Sequence, residues 1–297
     1  MRFVPPRIVQ RRVDIDFAHV PPGPWFPDGG PLEILFNAAS IAFPPTERFF
    51  IGAVRDCLGQ VSDPKLREEV AGFIHQEAMH NKVHAHCNAM LARHYPNCRR
   101  TEQISIVTFR LLGRLPRWFR LSLSSALEHF TSMVADTLLR YPDEFRQVVP
   151  PEIADMWLWH AAEETEHKSV CIDVYRAVLG NGPLSYLNRV VGMLLATPLF
   201  LFVMILLGAI VLGWRRPRGA APAAAEEPAQ RQEATEEPSG SSRFLGRGML
   251  GILWEGVPWR VYFSYYRPSF HPWDHDNRDL IAGWKERYPD FGEAGAA

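Results

Sequence analysis

The sequence lacks several features that would assign it to a functional class at once. Cysteine is scarce: Cys57, Cys87, Cys98 and Cys171 stand far apart, with no C-x-x-C pair. They read as reduced, buried small hydrophobes of a reducing compartment. An excess of either charge is also missing. Thirty-two Lys and Arg stand against 33 Asp and Glu, and the pI is near 6.8, so there is no electrostatic footprint for nucleic acid. No Gly-rich phosphate loop of the P-loop or Rossmann type occurs. The N-terminus, MRFVPPRIVQRRVDIDF, lacks the apolar core of a signal peptide. No stretch shows the two-residue period of a strand. These absences leave a cytoplasmic, all-α protein as the expectation.

What is present is a folding composition, 47% hydrophobic and 22% charged, patterned as helices. Residues 1–45 are rich in Pro and Gly and predict an irregular arm. Thr46, after Pro44-Pro45, is a candidate cap for a first helix. Asp63-Pro64 starts a second, which runs to Tyr95-Pro96. A third region begins near Thr101, breaks at Gly113 and Pro116, and resumes until Tyr141-Pro142. A fourth opens at Pro150-Pro151-Glu152 and ends at Gly180. Residues 46–182 therefore predict a ferritin-like antiparallel four-helix bundle.

Beyond it, residues 188–214 form an apolar helix whose uncharged run, 190–213, is long enough to cross a bilayer. Soluble helices rarely stay apolar on every face for that length. Residues 217–243, rich in Ala, Pro and Glu, read as a disordered linker. The aromatic segment 244–297 suits a membrane interface or a cover on the bundle. Arg215, Arg216 and Arg218 favour a cytoplasmic C-terminal side. The expected location is the cytoplasmic face of the inner membrane, with a soluble cytoplasmic protein as the alternative.

The chemistry lies in two Glu-x-x-His pairs, Glu77–His80 and Glu164–His167. Residues three apart share a helix face, so both donors of a pair reach one cation. The other two helices each offer a Glu among apolar residues, Glu47 and Glu128. Glu, Glu-x-x-His, Glu, Glu-x-x-His is the ligand order of dinuclear carboxylate bundles. Four carboxylates neutralise two divalent cations, and an imidazole on each leaves coordination positions open. Iron is the expected metal, with manganese and zinc as alternatives. His84, one turn beyond His80, His129 and His160 are candidate proton carriers, and His84 is also a candidate seventh ligand. Gln76, Glu163 and Glu166 are expected to orient the ligands. His160-x-x-Glu163 offers a shifted frame in which Glu163 replaces Glu164.

The segments FPPTERFF, FIHQEAMHNKVH, ALEHFT, WHAAEETEHKSVCIDVY and RPSFHPWD resemble the bacterial predicted metal-dependent hydrolase family. The resemblance covers the chain apart from the 217–243 linker and implies that these Glu and His clusters bind metal. Pro45-Thr46 stands where that family has Gly, a departure that touches the helix start and not Glu47. The residues alone favour a di-iron oxidase or oxygenase acting on an apolar or lipid-like substrate, supplied by an electron donor. A hydrolase with a metal-made hydroxide and a non-enzymatic iron-handling protein are the alternatives. A membrane-embedded histidine-rich oxygenase ranks last, because the ligands lie outside the apolar run.

Overall fold

Asp63 accepts the backbone N–H of Lys65 at 2.9 Å, and Pro64 occupies the first position of the helix that follows. The computed structural model describes residues 5–21, 25, 31–212 and 258–291, and those residues form no strand. The helices are α1 (Pro31–Arg55), α2 (Pro64–His94), α3 (Cys98–Leu112), α4 (Arg117–Arg140) and α5 (Pro142–Val148). They continue as α6 (Pro151–His167), α7 (Val170–Leu179), α8 (Pro183–Leu212), α9 (Pro258–Ser264) and α10 (Arg278–Arg287). The linker and the first part of the aromatic segment lie outside the described residues.

The largest difference from expectation is α1. It begins at Pro31 rather than after Thr46, and it carries Pro44 and Pro45 in its interior. Proline removes a backbone donor and normally ends a helix. Here side chains fill the gap. Asn88 donates its amide to the Ser40 carbonyl, the acceptor that Pro44 leaves unmatched, at 2.9 Å. Thr46, instead of capping a helix, donates its hydroxyl to Ala42 within the same helix, at 2.8 Å. A smaller difference is the break at Lys168-Ser169, which divides the expected fourth helix into α6 and α7. Lys168 turns aside there to donate to the His275 carbonyl and Asn277 Oδ1, each at 2.7 Å.

Two apolar clusters form the interior. One joins Ala38–Ala42 of α1, Val83–Leu91 of α2, Ala135–Leu139 of α4 and Ile153–Ala162 of α6. The other joins Phe49–Val54 of α1, Val70 and Phe73 of α2, Leu121–Leu127 of α4 and Val170–Tyr175 of α7. Each of these helical columns thus passes from one cluster to the other, α1 in the opposite sense to α2, and α4 opposite to α6–α7. The crossing point on every column is where the predicted ligands lie.

The N-terminal arm wraps this body in extended form and buries every second residue at Val9, Arg11 and Val13. The α8 helix commits one face to the protein. Met193 and Ala196 are fully buried, and a Cβ on Gly192 would fall 2.2 Å from Ser122 Oγ. Arg189 is buried and donates to the carbonyls of Tyr265 and Arg267. Among the described residues the opposite face is left uncovered, with Leu184 83% exposed and Leu187, Leu194, Leu195 and Leu201 each at least half exposed. In the C-terminal segment, Tyr265, Phe270 and Trp273 are buried as a cover, whereas Trp259 and Phe263 of α9 face outward.

Candidate metal centre

Glu47, Glu77, His80, Glu128, Glu164 and His167 come together, and none is more than 3% exposed. Three sets of donor atoms lie mutually within 4.8 Å: Glu47 with His80 and His160, Glu77 with His80 and Glu164, and Glu77 with Glu128 and His167. His167 Nε2 lies 3.4 Å from Glu77 Oε1 and 3.6 Å from both Glu128 Oε2 and Glu164 Oε2. His80 Nδ1 lies 4.0 Å from Glu77 Oε2 and from Glu164 Oε1.

The electrostatics of this ring are unfavourable as they stand. Both carboxylate oxygens of Glu47, Glu77 and Glu128, with His80 Nδ1 and His167 Nε2, are buried and have no hydrogen-bond partner. Buried polar groups are almost always satisfied, and buried charges are paired or bind metal. Burial drives the Glu47 carboxyl well above the ordinary range, and its neighbours Glu77 and Glu164 add to this. Glu77 and Glu128 are raised the same way, by burial first and by Glu164 next. Burial also acts on Glu164, but His167 and His160 outweigh it and hold its carboxyl low. His80 is kept neutral by burial and then by His160.

The histidines are oriented from behind. The carbonyl oxygen of Gln76 accepts from His167 Nδ1 at 2.9 Å, which leaves the Nε2 lone pair facing the carboxylates. Glu163 Oε2 meets His80 Nε2 at 3.1 Å, which leaves Nδ1 turned toward the carboxylates. Arg11 holds Glu163 directly and Gln76 through Glu166. Its guanidinium donates to Glu163 Oε1 at 2.9 Å and to the two oxygens of Glu166 at 2.9 and 2.8 Å. Gln76 donates to Glu166 at 2.8 Å, and Lys285 pairs with Glu166 at 2.8 Å. Arg11 and Lys285 outweigh burial at Glu166 and hold its carboxyl low. At Glu163 burial prevails over Arg11 and pushes the carboxyl up to about 8. The ring carboxylates have no hydrogen-bonded Lys or Arg. Nothing in local periodicity marks Arg11, which acts across more than 150 residues of sequence.

His160 and His84 form a second line. Ser40 donates to Asn88 Oδ1 at 2.8 Å, so its oxygen accepts from His84 Nδ1 at 2.9 Å. His84 Nε2 then accepts from His160 Nδ1 at 2.7 Å, which places a lone pair on His160 Nε2, 3.0 Å from Glu164 Oε1. The two atoms are at hydrogen-bonding distance, so a proton or a cation between them would join them. The nitrogen that joins the donor cluster is thus His160 and not His84, which stands behind it. Glu164, not Glu163, belongs to the ring, since both oxygens of Glu163 are taken up by Arg11 and His80. His129 is elsewhere: its Nε2 meets the Val261 carbonyl, and its ring packs on Tyr265 and Phe270.

The donor set, four carboxylates with imidazole lone pairs and no cation of the protein among them, fits a metal centre. A family model described as "Predicted metal-dependent hydrolase" matches residues 9–276, and the chain belongs to that family. Searches of curated proteins and of solved structures returned no match.

Proposed function

We propose that this member of the predicted metal-dependent hydrolase family holds two divalent ions in a ferritin-like four-helix arrangement and hydrolyses an apolar substrate. The observation that carries the reading is the ring of buried oxygen and nitrogen atoms without partners, with His80 Nδ1 and His167 Nε2 turned toward the carboxylates. Bound metal would supply a water of lowered pKa and a Lewis acid for the scissile carbonyl. Glu47, His80 and His160 would serve one ion, Glu128 and His167 the other, with Glu77 and Glu164 shared. Arg11, Gln76 and Glu163 fix the imidazoles, and His84 fixes the tautomer of His160. His129 has no part in this scheme.

Membrane association is part of the proposal. The exposed leucines of α8, with Trp259 and Phe263 of α9, are large apolar side chains that a membrane would cover. The buried Arg189 and the close Gly192 contact favour α8 lying on the bilayer, fixed to the body, over its crossing the membrane surrounded by lipid.

Ester and amide substrates presented to protein loaded separately with Zn, Mn and Fe test the reading. Turnover with zinc supports hydrolysis, because zinc has no redox chemistry. A second reading, di-iron oxidation, is favoured by the carboxylate-rich donor set, which suits iron or manganese better than zinc. It predicts an absorbance change when anaerobic ferrous protein meets oxygen, and no hydrolysis with any metal.

A further inference from the structure

A cavity of about 440 Å³ runs beside the ring, walled by α1, α3, α4, α6 and α8. That size lies within the range of small-molecule pockets. Its lining is almost wholly apolar, and polar side chains enter it in one zone only: Thr46, Thr131, His160 and Glu164. The Thr131 hydroxyl is already donated to Glu164 at 2.6 Å. Apolar wall continues past this zone in both directions, toward Leu35 and Trp157 at one end and Phe50 and Phe109 at the other. Along α1 alone, Leu35 to Phe50 spans roughly 22 Å at the helical rise. No Lys or Arg lines the cavity among the described residues.

We infer that the substrate is a neutral lipid-like ester, without a charged head group, carrying apolar chains on both sides of the scissile bond. The inference rests on the hydrolytic reading and deepens it. A chain on one side only would leave part of the apolar wall bare. A phosphate or carboxylate head seated away from the metals would meet no counter-charge and would be desolvated at a cost. In the reaction, a water oxygen bonds to the acyl carbon and the acyl C–O bond breaks. The departing oxygen takes a proton, giving one carboxylic acid and one alcohol. Entry is from the bilayer. Leu201 and Val134 both line the cavity and are 51% and 40% exposed, which puts the opening between α4 and the C-terminal half of α8.

The test is binding rather than turnover, so that it stands apart from the chemistry. Detergent-free full-length protein is titrated with three probes of matched chain length: a dialkyl ether, which no hydrolase cleaves, a fatty-acid anion and a lysophospholipid. Each is delivered from cyclodextrin, and the metal content of every sample is recorded. Ala39→Trp fills the cavity, and Val134→Trp narrows its half-exposed mouth with little risk to folding. The expected result is that the ether binds about tenfold tighter than either charged probe, a difference of about one well-buried group. Both variants should weaken it by a similar factor with metal content unchanged. Equal or tighter binding of a charged probe, or ether binding indifferent to both variants, overturns the inference. Ether binding in this pattern by protein that takes up no metal would keep the neutral-lipid assignment and remove the hydrolytic reading.

Discussion

A single arginine in the N-terminal arm controls more of the site than any residue on the helices other than the ring itself. Arg11 is 2% exposed and hydrogen-bonds both Glu163 and Glu166, the groups that set His80 directly and His167 through Gln76. Removing one partner of a buried pair strands the other, so Arg11→Met should cost about 3–5 kcal/mol of stability in urea unfolding. Metal affinity, measured by chelator competition, should fall by about 10–100-fold, as it does when groups that orient ligands are lost. An unchanged affinity would show that the imidazoles need no such support. His160 gives a sharper contrast. His160→Ala should remove one phase of a two-step metal titration and leave the other, whereas loss of both phases together, or of neither, would deny it a ligand's place on one ion.

At the scale of elements, the start of α2 and both Glu-x-x-His spacings were legible because they depend on neighbours within one turn: a cap, a proline, a helix face. The start of α1 was not. Pro44-Pro45 looks like a breaker, and the donor that repairs it, Asn88, lies 48 residues beyond the carbonyl it meets. Asn88→Leu should therefore cost about 1–3 kcal/mol, the penalty for a buried carbonyl left unmet, and circular dichroism should show helix loss. The break after His167 was hidden for the same reason, since Lys168 is drawn out by His275 and Asn277. Asp136 ties α4 to this C-terminal segment. Burial raises its carboxyl, but His275, Arg140 and Asn277 prevail and hold it at about 2, below the ordinary 3.8. A depressed carboxylate stabilises the fold above its unfolded pKa, and that contribution is lost as pH falls from 3.8 toward 2. Asp136→Asn should accordingly be less stable by about 2 kcal/mol at neutral pH. The difference should shrink toward nothing below about pH 2 if the pairing is its cause. A penalty independent of pH would assign the loss to packing.

For the whole molecule, the sequence showed an all-α chain of this family and the residues that meet at its centre. It could not show how the arm closes over them, because an extended strap has no partner period to read. It also showed an apolar helix without showing that one face of it is already occupied. Placing Glu at Leu194 and Leu195 should abolish co-sedimentation with vesicles and leave metal content intact, since both side chains face away from the body. Persistent co-sedimentation would move the membrane contact elsewhere on the molecule. Beneath all of this stands one physical claim, that buried carboxylates without partners are there to hold cations. Metal analysis of full-length protein purified without chelator, beside the Glu77→Gln and Glu128→Gln variants, addresses it directly. About two divalent ions per chain are expected, reduced in either variant while helix content is kept. A native, fully helical protein that carries no metal and takes up none from added iron, manganese or zinc would contradict it.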